Sequence, residues 1–127
     1  MFISSSENAP VPDWLLVFLG GGTGAVARYF FGRWFAAPGG FPWHTFGINV
    51  AGSFALGALV VLCKDRPAWL LLLGVGVCGG FTTFSSFSVE VLRMIEAGQY
   101  SPAFGYALGS VVAAIAGAWL GLQLGKA

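Results

Sequence analysis

Residues 79–88 read GGFTTFSSFS: two glycines, three phenylalanines at three-residue intervals, five hydroxyl side chains and no formal charge. They lie inside an apolar run, 69–95, of 27 residues. A membrane-crossing helix needs about 20 mostly apolar residues, so this run spans with length to spare. Glycine pairs are poor helix residues, and Gly79–Gly80 predict a break near its middle. A break inside a bilayer frees amides and carbonyls that protein, water or ions must satisfy. Discontinuous helices recur where membrane proteins hold ions. The decisive stretch therefore reads as an interrupted spanning helix, with freed carbonyls near Gly79 and Thr82 suited to a small cation.

Working outward, the chain has 127 residues, the length of one domain. It is 57% hydrophobic and 9% charged, where a soluble domain carries about 25% charged residues. A net charge of +1 supplies neither a basic patch for nucleic acid nor an acidic tail. Three further apolar runs, 14–35, 45–63 and 102–125, complete a set of four. They are about twice the length of a barrel strand and do not alternate. The fold class is all-α and integral to the membrane, with four transmembrane helices and a break in the third. Trp14, Trp34, Trp43 and Trp69 stand near span ends, as an interfacial aromatic belt places them. The segment 1–13 lacks the positive n-region of a signal peptide and reads as a leader to a single four-helix transmembrane domain, 14–127. Lys64, Arg66 and Lys126 fall on one side of the membrane. Arg28, Arg33 and Arg93 fall toward the other, so the positive charges select neither orientation strongly.

Polar residues at membrane depth are dense. Phe81, Phe84 and Phe87 form a stripe, flanked by Thr82, Thr83, Ser85, Ser86 and Ser88. A phenyl ring has a positive edge that can meet an anion without a formal charge. Asn49 brings an amide early in the second span, with Thr45 one turn before it. Tyr106 and Ser110 stand four apart, on one face of the fourth. A lining rich in neutral donors suits a small, strongly hydrated anion, which it can strip of water without trapping. Arg28, inside the first span, reads as structural or electrostatic. Glu90 and Arg93, three apart, are placed to pair with each other, or Glu90 to line a vestibule. His44 reads as a solvent-facing connector residue.

Other motifs carry no chemistry. Cys63 and Cys78 match no metal spacing or disulfide framework and read as packing thiols. GGGTGAVAR at 20–28 follows no strand, which excludes a dinucleotide loop. No P-loop, catalytic triad or metal cluster is present. Gly105, Gly109, Ala113, Gly117, Gly121 and Gly125 recur every four residues, a small-residue ridge for helix packing within or between subunits. Four short helices barely enclose a path, so the size itself points to an oligomer.

The segments GTGAVAR (22–28), WHTFGINVAGS (43–53), GGFTTFSSFS with Glu90 following, and YALGS (106–110) together resemble the Fluc/CrcB family of fluoride channels. The resemblance runs from about Leu19 to near the end. It implies an antiparallel dual-topology homodimer in the cell's inner (plasma) membrane, with two fluoride pores and one central structural sodium ion. On that resemblance Phe84 and Phe87 are ring-edge ligands, and Asn49 donates to fluoride. Tyr106 and Ser110 form a polar track, with Thr45 and Thr83 near the path, and the backbone carbonyls of Gly79 and Thr82 hold the sodium. The role implied is passive export of fluoride, with no enzymatic activity. Two positions depart from the pattern of some members: Ala114 stands where the track continues with serine, and Gly47 where a hydroxyl precedes the asparagine. Two other readings compete. A small multidrug-type proton-coupled transporter typically places a glutamate in its first span, and here that span carries Arg28 and no acid after Asp13. A transport-inactive membrane scaffold leaves the buried polar residues without a use.

Overall fold

A computed structural model describes residues 10–127, so most of the expected leader lies outside the described residues. Four helices are long and apolar enough to cross a membrane: α1 (Asp13–Phe35), α2 (Trp43–Leu62), α3 (Pro67–Glu96) and α4 (Tyr100–Lys126). Their ends agree with the apolar runs to within two residues. The chain is thus a multi-pass membrane protein, and no strand occurs among the described residues. Trp14, Trp34, Trp43 and Trp69 are exposed near helix ends, where an aromatic belt meets the lipid headgroups.

The third helix has two halves. The first, α3a (67–81), starts on Pro67, whose missing amide costs nothing at that position. It winds as a π-helix over Leu70–Cys78, then resumes α geometry at Gly79–Phe81. Thr82 and Thr83 are extended, with φ/ψ of −84°/160° and −152°/122°. The second half, α3b (Phe84–Glu96), follows. The interruption exists, but it falls at Thr82–Thr83 and not at the glycine pair. Helix geometry runs through Gly79 and Gly80. Gly80 serves packing instead: a Cβ there would strike the Gly21 carbonyl of α1.

Glycines set the close approaches. α1 lies on α3a with Gly20 and Gly24 against the backbone of Leu72, Gly76 and Val77. α2 lies along α4, where Gly121 meets the Phe54 carbonyl and Gly57 meets that of Ala118. The expected ridge on α4 is not one face. Gly117, Gly121 and Gly125 pack on α2 inside the protomer, whereas Gly105 and Gly109 face open space. A four-residue interval overshoots the 3.6-residue turn, so the row winds around the helix and its two ends point differently. Gly98, at φ 75°, follows α3b, and a left-handed glycine is a common stop there. Cys63 and Cys78 are buried free thiols.

Candidate functional site

The break is made by Asn49. Its Nδ2 donates to the Thr83 carbonyl at 3.0 Å, and its Oδ1 accepts from the Thr83 amide at 2.8 Å. The side chain thus satisfies both backbone groups of one residue in an extended conformation, as a neighbouring strand would. Turning the amide over would oppose donor to donor and acceptor to acceptor, so its orientation is fixed by the network. The hydroxyl of Thr83 then accepts from the Ser86 amide at 3.1 Å, which makes Thr83 the N-cap of α3b. Two carbonyls lose their usual partners as a result. The Thr83 amide, which would serve the Gly79 carbonyl in a continuous helix, goes to Asn49. The Ser86 amide, which would serve Thr82, goes to the Thr83 hydroxyl.

The break opens on a groove of about 400 Å³. Asn49, Gly79, Thr82, Thr83, Phe84, Phe87, Ser110 and Ala114 are among its lining, and no described residue that lines it is charged. Seven of the expected site residues thus meet in one place. The Phe84 and Phe87 rings lie 5.6 Å apart, and Phe84 is 78% exposed in the protomer. The Ser110 hydroxyl is buried without a hydrogen-bond partner among the described residues. The Asn49 amide keeps one N–H beyond the bond to Thr83. Phe81 leaves the expected stripe: it precedes the break and meets Phe31 of α1 edge-on at 6.4 Å.

Thr45 and Tyr106 do not line the groove. They are almost fully buried and converge on Glu90. Thr45 donates to Glu90 Oε1 at 2.7 Å and Tyr106 to Oε2 at 2.6 Å. Tyr106 touches the groove indirectly, its ring 5.2 Å from that of Phe87 and inclined at 64°. This triad ties α2, α3b and α4 together just beyond the ring wall. Glu90 does not pair with Arg93, which is exposed in the last turn of α3b. Arg28 donates from Nε to the Gly80 carbonyl at 3.0 Å, spending part of its charge on the turn before the break. It anchors a helix carbonyl.

His44 was misread from the sequence. It belongs to α2, which starts at Trp43. Its side chain is 22% exposed, and its Nε2 lies 3.8 Å from Glu90 Oε1. The signal lay in Pro42, a natural helix-entry residue that pulls the start of α2 ahead of the apolar run.

The profile of the CrcB-like protein family (Camphor Resistance, CrcB) matches residues 15–122. A protein of Phenylobacterium zucineum described as "Fluoride-specific ion channel FluC" is 47% identical over 121 residues, covering 88% of this chain and 94% of that one. One of Gloeobacter violaceus with the same description is 44% identical over 124 residues, covering 92% and 98%. A third, from Erythrobacter litoralis, is 46% identical over 130 residues, covering 94% and 96%. With the helix break, the uncharged groove and the profile all falling on the same segments, the chain belongs to the CrcB family.

Proposed function

We propose that this chain is a fluoride-selective channel that lets cytoplasmic fluoride leave passively down its electrochemical gradient. The observation that carries the reading is the groove itself: neutral donors and ring edges at membrane depth, with no formal charge. A fixed positive charge there would hold fluoride too tightly to release it, and a negative one would repel it. The Ser110 hydroxyl, buried without a partner among the described residues, and the spare Asn49 N–H are donors free to replace hydration water. Phe84 and Phe87 add the positive edges of their rings. The relatives' descriptions support the same ion. They give no support to the multidrug-type transporter, and the family is not enzymatic.

The pore belongs to a pair of chains in this reading. A phenyl group 78% exposed beside hydroxyls, on an open groove, is an incomplete wall. A second copy in the opposite orientation completes it, and the even distribution of positive charge permits both insertions. At the break, the carbonyls of Gly79 and Thr82 have lost their helical donors, and hard oxygen donors of this kind fit a hard cation such as sodium. Bound there, sodium supplies positive charge to two carbonyls that have no amide. Gly79, open to its surroundings, leaves room for a shared site between copies.

Purified protein in liposomes tests the function. Under a membrane potential, fluoride efflux exceeds that of protein-free vesicles, whereas no protein-dependent efflux refutes the channel. Phe84→Ile assembles normally and conducts about tenfold less, the equivalent of losing roughly 1.4 kcal/mol of ring-edge stabilisation. Equal flux at equal reconstituted amounts removes the ring from the path. For the cation, purification with sodium replaced by a large organic cation lowers dimer stability. An unchanged monomer–dimer balance argues against sodium.

A further inference from the structure

A second cavity, of about 180 Å³, lies on the other side of Thr83 from the groove. The groove path does not run through it, although Thr45 and Thr83, which the resemblance sets near the path, line it as well. Three side chains of the basic and acidic types border it from three helices: Arg28 of α1, His44 of α2 and Glu90 of α3b. Tyr29 of α1 also lines it, and Tyr106 of α4 reaches it through Glu90.

We propose that His44 is a positioning residue that sets the charge felt along the fluoride path through Glu90, and that conduction therefore rises on acidification. The inference rests on the fluoride-channel reading. Both oxygens of Glu90 accept hydrogen bonds, from Thr45 and Tyr106, as an ionised carboxylate does. That negative charge stands one side chain behind the ring of Phe87 and repels an anion approaching it. Arg28 offsets it, so with neutral His44 the chamber carries no net formal charge. The imidazole is the one group in the chamber whose ordinary titration falls between about pH 5 and 8. Its Nδ1 is buried without a partner among the described residues, so its polar coupling runs through Nε2, the nitrogen 3.8 Å from Glu90. Protonation brings the chamber to +1 and places the imidazolium against Oε1 of Glu90, in competition with the Thr45 hydroxyl bound there at 2.7 Å. The sign follows: acid adds positive charge beside the path and favours an anion. Acid outside a cell also drives neutral hydrogen fluoride inward, so the channel opens further under the condition that loads its substrate.

Fluoride efflux from liposomes, driven by potential and corrected for protein-free vesicles, is measured at steps from pH 8 to pH 5. One charge acting over several ångströms in a medium of intermediate dielectric gives a rise on the order of tenfold in the parent. His44→Gln flattens the profile. His44→Lys keeps a positive charge throughout and conducts at pH 8 as the parent does at pH 5. Equal pH slopes in the parent and His44→Gln, with flux present in both, overturn the proposal and leave the channel reading standing. Absence of flux at every pH overturns the channel reading instead. His44 is the only histidine in the chain, so ¹³C-labelled imidazole reports its charge state without any transport. A titration midpoint that differs between the parent and Glu90→Gln supports the coupling. Identical midpoints overturn it whatever the flux.

Discussion

Asn49→Asp abolishes fluoride flux, by a factor of about a hundred or more for a fixed anion within a few ångströms of the path. The substitution changes almost no volume. It keeps an acceptor for the Thr83 amide but sets a carboxylate oxygen against the Thr83 carbonyl, where Nδ2 now donates at 3.0 Å. Two oxygens at that distance repel, so the extended break is lost along with passage. Asn49→Ala separates the two effects. It introduces no charge, but leaves the amide and carbonyl of Thr83 unpaired inside the membrane, a cost on the order of 2–5 kcal/mol. Thermal unfolding in detergent reads that loss. Parental flux in Asn49→Asp would mean that the side chain is interhelical glue remote from the path.

The second large effect is all-or-none and concerns orientation. Two lysines added to the connector at 64–68 bias every copy to one orientation, because that connector already carries Lys64 and Arg66. An antiparallel pair then cannot form, and flux falls to the protein-free level. Two lysines beside Gly39–Gly40, on the opposite side, force the other orientation with the same loss. Coexpression of the two variants restores flux, since each supplies the partner that the other lacks. Single-sided labelling of cysteine tags checks the orientations. A variant that labels from one side only and still conducts fully rules out the antiparallel assembly.

The four helices were legible because hydropathy and length report directly on the bilayer. The break in α3 was legible as a fact, though not in place. Its cause is a contact between residues 34 apart in sequence, Asn49 and Thr83, and no local propensity encodes such a contact. Of the two glycines that drew attention to it, Gly80 serves packing on α1 and Gly79 stands open. The groove residues were recognised from their chemical types, since a membrane protein has little other use for so many hydroxyls. The partition of Thr45 and Tyr106 away from the groove and onto Glu90 was not legible, because helix periodicity assigns a face but not the neighbour across it. His44 was hidden by a two-residue error in where α2 starts, enough to turn a chamber residue into a connector residue.

The π-wound stretch Leu70–Cys78 gives the third helix an adjustable length. Winding with i→i+5 bonds stores more residues per unit of axial distance than an α-helix does. As pure α-helix, thirty residues would extend about 45 Å, well past a hydrocarbon core of about 30 Å. The wide coil and the break keep α3 commensurate with its shorter neighbours. A residue lost from the leucine run 70–73 is absorbed by tightening the coil, with Gly79 and Thr83 held where Asn49 requires them. On α2, with no such coil, a single deletion between Thr45 and Asn49 rotates the amide off Thr83. The chain is thus elastic to insertion and deletion on one helix and inelastic on the one facing it.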